Sequence, residues 1–402
     1  MTLSNSKKIE RLEPTAERLR ENTASLISDF IKRKSPDFIK RHAQALDDYF
    51  FESFESSRVG PKMGIEKNPY AIIALGGYGR REQFIHSDVD LLFLFEKYVP
   101  DKAEHLIQEI VYPLWDIGFE VGHATRSLKE CVKLAVDDIE VLTSLLDARF
   151  VCGMSLLYSS LMEHLRKRFK KKYSTKVIKR LVDISQSRHE CFGDSSYLLE
   201  PNLKEGQGGL RDYHTILWIA RLKSNLKQFR DLEYYGLLSH DEFQAMRQAL
   251  EFIGNVRNYL HHLSGRKCDQ LYFEYQIKMA DALKFGKKNG QQPVERFLGK
   301  LHSQMEFLKQ QHLMFLYELG LFKNIKRSKR ALKHTLTKGL EITENGMINF
   351  VSSEDILRDP SLLIKIFEES ATLKIPLSAE AKRLVREFSF LVDQKFSSSV
   401  LN

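Results

Sequence analysis

The sequence predicts an α/β fold of the α+β kind. A module of alternating strands and helices with a mixed sheet lies between N-terminal helices and a long, mostly helical stretch. Three observations predict it. Two apolar runs of strand length, Tyr70 to Leu75 and Val89 to Phe95, flank the glycine pair Gly76-Gly77. The second run opens with Ser87-Asp88-Val89-Asp90, two carboxylates one residue apart. On either side of the module, apolar residues recur at helical rather than strand spacing.

The elements follow in order. Residues 8 to 57 read as helix, with Leu12, Leu19, Leu26, Ile27, Phe30 and Ile31 at helix-like spacing and the pattern repeated from Phe38 to Phe54. A polar stretch from Ser56 to Asn68, carrying Gly60, Pro61 and Gly64, separates these helices from the module. Tyr70 to Leu75 is a strand, and Val89 to Phe95 a second. A helix is predicted from Lys102 to Ile117, with Leu106, Ile107, Ile110, Val111, Leu114 and Trp115 on its buried side and Pro113 kinking its last turns. Phe119 to Thr125 reads as a third strand. Ser127, with Glu130 three residues on, has the pattern of a capping box for the next helix. From about residue 138 to Arg330 the pattern is nearly all helical, apart from the loop Glu200 to Gly209 and the glycine-bearing segment Lys284 to Gln292. The tail is mixed: a short strand at 348–351, a helix starting at Asp359-Pro360, and another from Ala379 to Val392. The domains expected are 1–62 (helical), 63–150 (the strand-bearing module), 151–330 (helical) and 331–402 (mixed).

Composition bounds the function. A chain of 402 residues can hold two or three domains. Its 43% hydrophobic and 11% aromatic content suits an ordered globular protein. The excess of 62 basic over 53 acidic residues gives +9, which suits polyanionic ligands such as nucleoside triphosphates but is modest for a dedicated nucleic-acid binder. Cys131, Cys152, Cys191 and Cys268 form no C-x-x-C pair and read as reduced thiols, not as a zinc site or disulfide framework. Met1 to Arg20 has no apolar core of signal-peptide type, and no run reaches the ~18 apolar residues of a membrane span, so a cytoplasmic protein is expected.

Side chains alternate along a strand, so Asp88 and Asp90 point the same way with Cα atoms roughly 6.5–7 Å apart. Two carboxylates so placed can share a site for Mg²⁺, an oxygen-seeking ion that bridges protein to phosphate. Gly76 and Gly77 lack Cβ atoms and let backbone amides approach a phosphate. These parts, in this order, make a metal-assisted nucleotidyl-transfer site. Ser87 can donate to a phosphate, and Arg80 and Arg81 are candidate phosphate partners. A third carboxylate normally completes such a site. Glu120, acidic between Phe119 and Val121, is slightly favoured over Asp147, which has a competing reading as half of a buried ion pair with Arg149 or another basic residue. The loop Leu199 to Asp212, rich in glycine and charge, either brings Lys204 or Arg211 to a triphosphate or is locked by pairing among Glu200, Lys204, Arg211 and Asp212. No P-loop, H-E-x-x-H or G-x-S-x-G motif occurs.

The ordered pair of motifs, Gly-Gly-Tyr-Gly-Arg-x-Glu with Ser-Asp-x-Asp-Leu-Leu and then Leu-Glu-Pro-Asn-x-Lys-Glu with Gly-Gly-Leu-Arg-Asp, resembles the N-terminal half of bacterial PII-protein uridylyltransferases, the bifunctional uridylyltransferase/uridylyl-removing enzymes. Phe119-Glu120-Val121-Gly122-His123-Ala124-Thr125-Arg126, Leu146 to Arg149 and Val256 to His261 look like the same family, so the resemblance covers nearly the whole chain. It implies a DNA-polymerase-β-like nucleotidyltransferase domain at 63–150 and a helical uridylyltransferase-associated domain at 151–330. It also implies Mg²⁺-dependent transfer of UMP from UTP to a tyrosine of the PII signalling protein, with release of pyrophosphate. Carried onto this chain, Asp88 and Asp90 are the metal ligands, and Gly76 and Gly77 bind the nucleotide. Arg81 stands where the family usually has a small residue. The family continues into a phosphohydrolase domain and glutamine-sensing domains, so uridylyl removal and glutamine sensing are not expected from these 402 residues. His240-Asp241 reads as a surface pair at a helix start, not as part of such a hydrolase site.

Two other functions compete. The basic run Arg166 to Arg180 suggests transfer to RNA, but only Phe169 and Tyr173 interleave it, whereas stacking on single strands uses several exposed aromatics. A non-catalytic nucleotide-binding regulator would keep the fold without turnover, and the intact aspartates and glycines argue against it.

Overall fold

The computed structural model describes residues 14–33, 37–60, 68–170, 172–192, 198–224, 226, 228–321 and 336–392. Residues 8–13, most of the polar stretch before Asn68 and the segment 322–335 therefore lie outside the described residues. The chain divides into two units, residues 1–305 and 306–402.

The first unit begins with α1 (Pro14–Ile31) and α2 (Phe38–Ser56), then enters a four-stranded sheet. Its strands are β1 (Tyr70–Ala74), β2 (Val89–Phe95), β3 (Val121–Ser127) and β4 (Arg149–Gly153), in the order β3-β2-β1-β4. β1 pairs antiparallel with β2 and β4, while β2 and β3 run parallel, so the sheet is mixed. The short α3 (Gly76–Gly79) follows β1, α4 (Ala103–Asp116) joins β2 to β3, and α5 (Leu128–Asp137) and α6 (Ile139–Leu146) lead to β4.

Alternation along the strands decides how the sheet is buried. Ile72, Leu91, Phe93 and Phe95 face one way and pack with α2 and α4, and Ile73, Leu92 and Leu94 face the other, with α5, α6 and α7 (Ser155–Arg168). All of these strand residues are buried, which is why β1 and β2 read as continuous apolar runs. Asp47 of α2 ties the N-terminal helices to the sheet. It accepts from Arg149 Nη1 and Nη2 at 2.8 and 2.9 Å and from the Tyr78 hydroxyl at 2.7 Å.

Several boundaries differ from the sequence reading. β3 starts at Val121, because Phe119 still closes the preceding turn by donating to the Leu114 carbonyl at 2.9 Å. The residues after Leu146 form a fourth strand where helix was expected, and the boundary expected at residue 150 falls inside it. Local pattern missed β4 because only Cys152 of its five residues is fully buried. Trp115 is 42% exposed, its ring against Tyr112 and its Nε1 donating to Val121 O. Ser127 and Glu130 form the capping box.

Beyond the sheet the unit is helical: α8 (Lys172–Phe192), α9 (Leu210–Ser224), α10 (Asp231–Tyr234), α11 (His240–Ser264), α12 (Phe273–Ala282) and α13 (Pro293–Glu318), whose residues fall in both units. α11 starts at His240 behind a Ser239/Glu242 capping box, and the exposed His240 pairs with Glu233 at 2.7 Å. In the second unit β5 (Leu340–Ile342) and β6 (Ile348–Phe350) form a hairpin. It packs with α14 (Ser353–Arg358), α15 (Leu362–Leu373) and α16 (Ala379–Phe388) through Leu340, Ile348, Phe350, Leu363, Ile366 and Ala381. Among the described residues no helix is long and apolar enough to cross a membrane.

Candidate active site

Asp88 immediately precedes β2 and Asp90 is its second residue, so the pair leaves the same face at the end of the sheet nearest Gly76. The Asp90 carboxylate lies between two glycines. A Cβ on Gly76 would stand 3.1 Å from its Oδ2, and one on Gly122 would stand 2.9 Å from its Oδ1. Gly76 also holds φ +51°, a left-handed conformation that other residues resist. Register explains Gly122: it is the β3 residue opposite Asp90.

Asp88 meets a cation. Lys267 Nζ lies 2.5 Å from its Oδ2, and both side chains are partly open to solvent. Burial presses the Asp88 carboxyl upward. The hydrogen bond from Lys267, the neighbouring Glu120 carboxyl and the charges of Lys267 and Lys204 more than offset this and hold it below its ordinary value. Asp90 goes the other way, raised by enclosure in protein and then by the Asp88 charge, against the pull of Lys267, Lys204 and Arg80. Two neighbouring carboxylates, one stabilised by a cation and one destabilised by enclosure and by its neighbour's charge, are a donor set that suits a divalent ion.

The two candidates for a third carboxylate sit in different settings. Glu120 is exposed, its carbonyl accepts from the Val89 amide at 2.8 Å, and its carboxyl reaches Asp88. Asp147 is 3% exposed and accepts from Arg80 Nη1, Arg221 Nη1 and, at 2.9 Å, Trp218 Nε1. Its partners are thus Arg80 and Arg221; Arg149 turns instead to Asp47.

A cavity of about 470 Å³ opens in front of Asp88 and Asp90. Of the residues singled out in the sequence, Gly76, Gly77, Arg80, Ser87, Asp88, Asp90, Asp147, Lys204 and Arg211 line it, and Glu120 does not. Arg80 is nearly buried, its Nε on Glu82 at 2.8 Å and its Nη1 on Asp147, with its Nη2 edge toward Gly77. Arg81, at φ +60°, points to Asp47 at 3.5 Å and is absent from the cavity wall.

The loop before α9 is held in place, though not by pairing among Glu200, Lys204, Arg211 and Asp212 themselves. It is locked from within: Asn202 Oδ1 accepts the amides of Lys204 and Glu205 at 3.1 and 2.7 Å, and Gly208 donates to Asp212 Oδ2 at 2.8 Å. Gly208 holds φ +73° with Met305 O only 1.9 Å from where a Cβ would stand, so no side chain fits there. Its ion pairs include Arg211 with Glu205 at 2.9 Å, Lys204 with the same Glu205 at 3.8 Å and Arg188 with Asp212 at 2.5 Å, while Glu200 accepts from the Phe273 amide. So fixed, the loop presents Lys204 and Arg211 to the cavity. Burial first, then the Arg211 and Arg257 charges, lower the Lys204 ammonium against the opposing pull of Glu205 and Asp269.

Sequence reasoning missed Lys267, Gly122 and the buried pair of Glu82 with His214 at 2.8 Å. Gly122 stands in a quoted motif, and its role needed only the β2–β3 register. Lys267 carries no local signal, being 179 residues from Asp88. In the basic run, Phe169 belongs to the core, Lys167 pairs with Glu163 at 2.7 Å, and Arg168 covers the Tyr173 ring.

Comparison with known proteins agrees with this layout. Residues 21–126 match the family model described as putative nucleotidyltransferase DUF294, and residues 176–316 match that of GlnD PII-uridylyltransferase. The chain is similar to the bifunctional uridylyltransferase/uridylyl-removing enzyme of Novosphingobium aromaticivorans, 35% identical over 80% of this chain and 36% of that protein. The enzyme of the same name from Cereibacter sphaeroides is 33% identical over 82% and 36%, and that from Rhodospirillum rubrum 39% identical over 56% and 24%. The chain thus spans about a third of the length of the curated relatives it matches. Two models matched in succession thus make this chain similar to the PII-uridylyltransferases, a nucleotidyltransferase match being followed by a GlnD match over the helical part of the chain.

Proposed function

We propose that this chain is a divalent-metal-dependent nucleotidyltransferase that moves UMP from UTP to a tyrosine hydroxyl of a PII signalling protein, releasing pyrophosphate in the cytoplasm. One observation carries the reading. The carboxylates Asp88 and Asp90 stand at the wall of a cavity that the glycine pair and the cations Lys204, Arg211 and Lys267 also line. A pair of carboxylates with several cations around one cavity suits a metal-bound triphosphate. The choice of UTP and of a PII protein rests on what the family model is called.

Asp88 and Asp90 would hold the ion, a reading supported by the Lys267 ammonium that Asp88 pairs with. When bound, Mg²⁺ supplies charge neutralisation to the phosphate oxygens and acidity to the attacking hydroxyl. The chain's own residues do the rest. Gly76 and Gly77 let the backbone approach the polyphosphate, Ser87 donates to it, and Lys204 and Arg211 balance its charge. Arg80 acts through its fixed guanidinium edge. Glu120, beside Asp88 and exposed, orients the acceptor side. The tyrosine oxygen forms a bond to the α-phosphorus while the bond from that phosphorus to the pyrophosphate oxygen breaks. The phenolic proton leaves to solvent through the carboxylates. Uridylyl removal and glutamine sensing are not assigned to these residues.

The test is transfer from UTP, ATP, GTP and CTP, each labelled at the α-phosphate, to a purified PII protein with Mg²⁺. Label from UTP on a PII tyrosine supports the reading. Label on RNA instead, or no label with any nucleotide from protein that binds UTP, overturns it.

A further inference from the structure

Lys267 does not come from the sheet module. α11 ends at Gly265 in the left-handed conformation, φ +64°, and the chain then turns back through residues 266–271. That stretch is pinned on both sides of the turn. Asp269 accepts from Arg257 Nε at 2.6 Å, its carbonyl accepts the Leu203 amide at 2.8 Å, and the Leu271 amide donates to Pro201 O at 3.0 Å. The pairing fixes the backbone of residue 267 beside the loop that carries Lys204. The Lys267 side chain itself is 40% exposed on a flexible four-carbon stem.

The cavity's other cations have fixed partners. Arg80 is held by Glu82 and Asp147, Arg211 and Lys204 by Glu205, Arg188 by Asp212, and Arg257 by Asp269. Lys267 alone of these six pairs with a carboxylate assigned to the metal, at 2.5 Å. An ammonium there neutralises Asp88 but must leave if a divalent ion is to use the same oxygen. The nearest anion then available in a nucleotide-filled cavity is the polyphosphate.

Resting on the nucleotidyltransferase reading above, we infer that Lys267 is an exchangeable counter-ion. It closes on Asp88 when the carboxylates hold no metal, and moves to the polyphosphate of the nucleotide when a divalent ion takes its place. Lys267 therefore opposes metal binding in the absence of nucleotide and favours nucleotide binding in the presence of metal. A residue that only shaped the fold would not act in opposite directions on the two ligands.

The experiment uses the full chain and two readouts other than turnover. Mn²⁺ is titrated into protein without nucleotide and followed by electron paramagnetic resonance. Calorimetry then measures a non-hydrolysable UTP analogue in saturating Mn²⁺. Lys267→Met is expected to bind Mn²⁺ roughly two- to fivefold tighter, the scale of a partly exposed ion pair. It should bind the analogue about tenfold more weakly, the scale of one charged hydrogen bond. Lys267→Gln, which keeps a polar head, serves if the methionine variant melts early. Unchanged or weaker Mn²⁺ binding, or unchanged analogue binding, overturns the inference while leaving the nucleotidyltransferase reading intact. Wild-type protein that binds no Mn²⁺, with Asp88→Asn identical to it, overturns both.

Discussion

Gly122 lies so close to the Asp90 carboxylate that a Cβ on it would stand 2.9 Å from Oδ1, nearer than a bonded framework tolerates. Gly76 approaches the opposite oxygen almost as closely, at 3.1 Å from its own Cβ position. The carboxylate is therefore aimed by two absent side chains. Gly122→Ala should turn it and lower transfer by roughly tenfold or more, since small misplacements of a reacting group are costly. The melting temperature should hardly move, because residue 122 is exposed on the edge strand. Wild-type transfer by a folded Gly122→Ala variant would show that the orientation of Asp90 does not matter.

Replacing both carboxylates by Asp88→Asn with Asp90→Asn should abolish transfer. It should not cost stability. Asp90 is raised by enclosure and by Asp88, so its ionised form works against folding, and the amide removes that cost. The same change also loses the exposed contact with Lys267, worth at most ~1 kcal/mol. The double variant should melt within a few degrees of the wild type in a calorimetric scan. Turnover at the wild-type rate would exclude the site.

How much of this was legible in the sequence depends on the range of the interaction. β1, β2, the capping box at Ser127 and the convergence of Asp88 and Asp90 are written in neighbouring residues, and all were readable. β4 was not. Arg149, Phe150 and Val151 are only partly buried, so the segment lacks the apolar run that marks the central strands, and its pairing with β1 supplies what local pattern does not. Glu120 fell outside β3 because the turn after α4 extends to Phe119. In the site, the glycine pair and the charged loop advertised themselves, whereas Lys267 reaches Asp88 only through the backbone pairing of residues 201–203 with 269–271. No spacing rule spans that distance.

Glu120 and Asp147 separate cleanly by experiment. Asp147 neutralises two guanidinium groups and satisfies a tryptophan N–H in a nearly closed setting. Asp147→Ala should cost about 3–5 kcal/mol, because it leaves buried charge without a partner. Glu120 is exposed, so Glu120→Ala should leave unfolding within roughly 0.5 kcal/mol of wild type. If Glu120 serves the reaction, that variant should lose transfer about tenfold or more at unchanged stability. Urea titrations paired with transfer rates decide it. A Glu120→Ala enzyme of full activity beside a stable Asp147→Ala enzyme without activity would reverse the assignment.

Acid should unfold the protein through its buried histidines before its carboxylates. His214 is lowered to about 4, by burial first and the Arg80 charge second, against the hydrogen bond to Glu82. His42 is likewise lowered to about 4 by burial, against hydrogen bonds with the Gln83 and Phe84 backbone. A histidine with a depressed folded value is neutral in the fold and takes up its proton more readily when unfolded. Its contribution is fully present above pH 6.5 and declines as pH falls toward 4. Each group can account for at most roughly 3 kcal/mol over that window. Glu82 acts lower down. Burial raises it, but Arg80 and His214 pull it well below its ordinary value, so its contribution is lost only as pH drops under about 4.5. Urea unfolding measured from pH 7.5 to 4.5 should therefore show stability decreasing steadily below 6.5. His214→Gln, whose amide can still donate to Glu82, should flatten that slope by about one proton's worth while lowering stability at neutral pH only modestly. A slope unchanged in His214→Gln would mean that His214 does not titrate with unfolding.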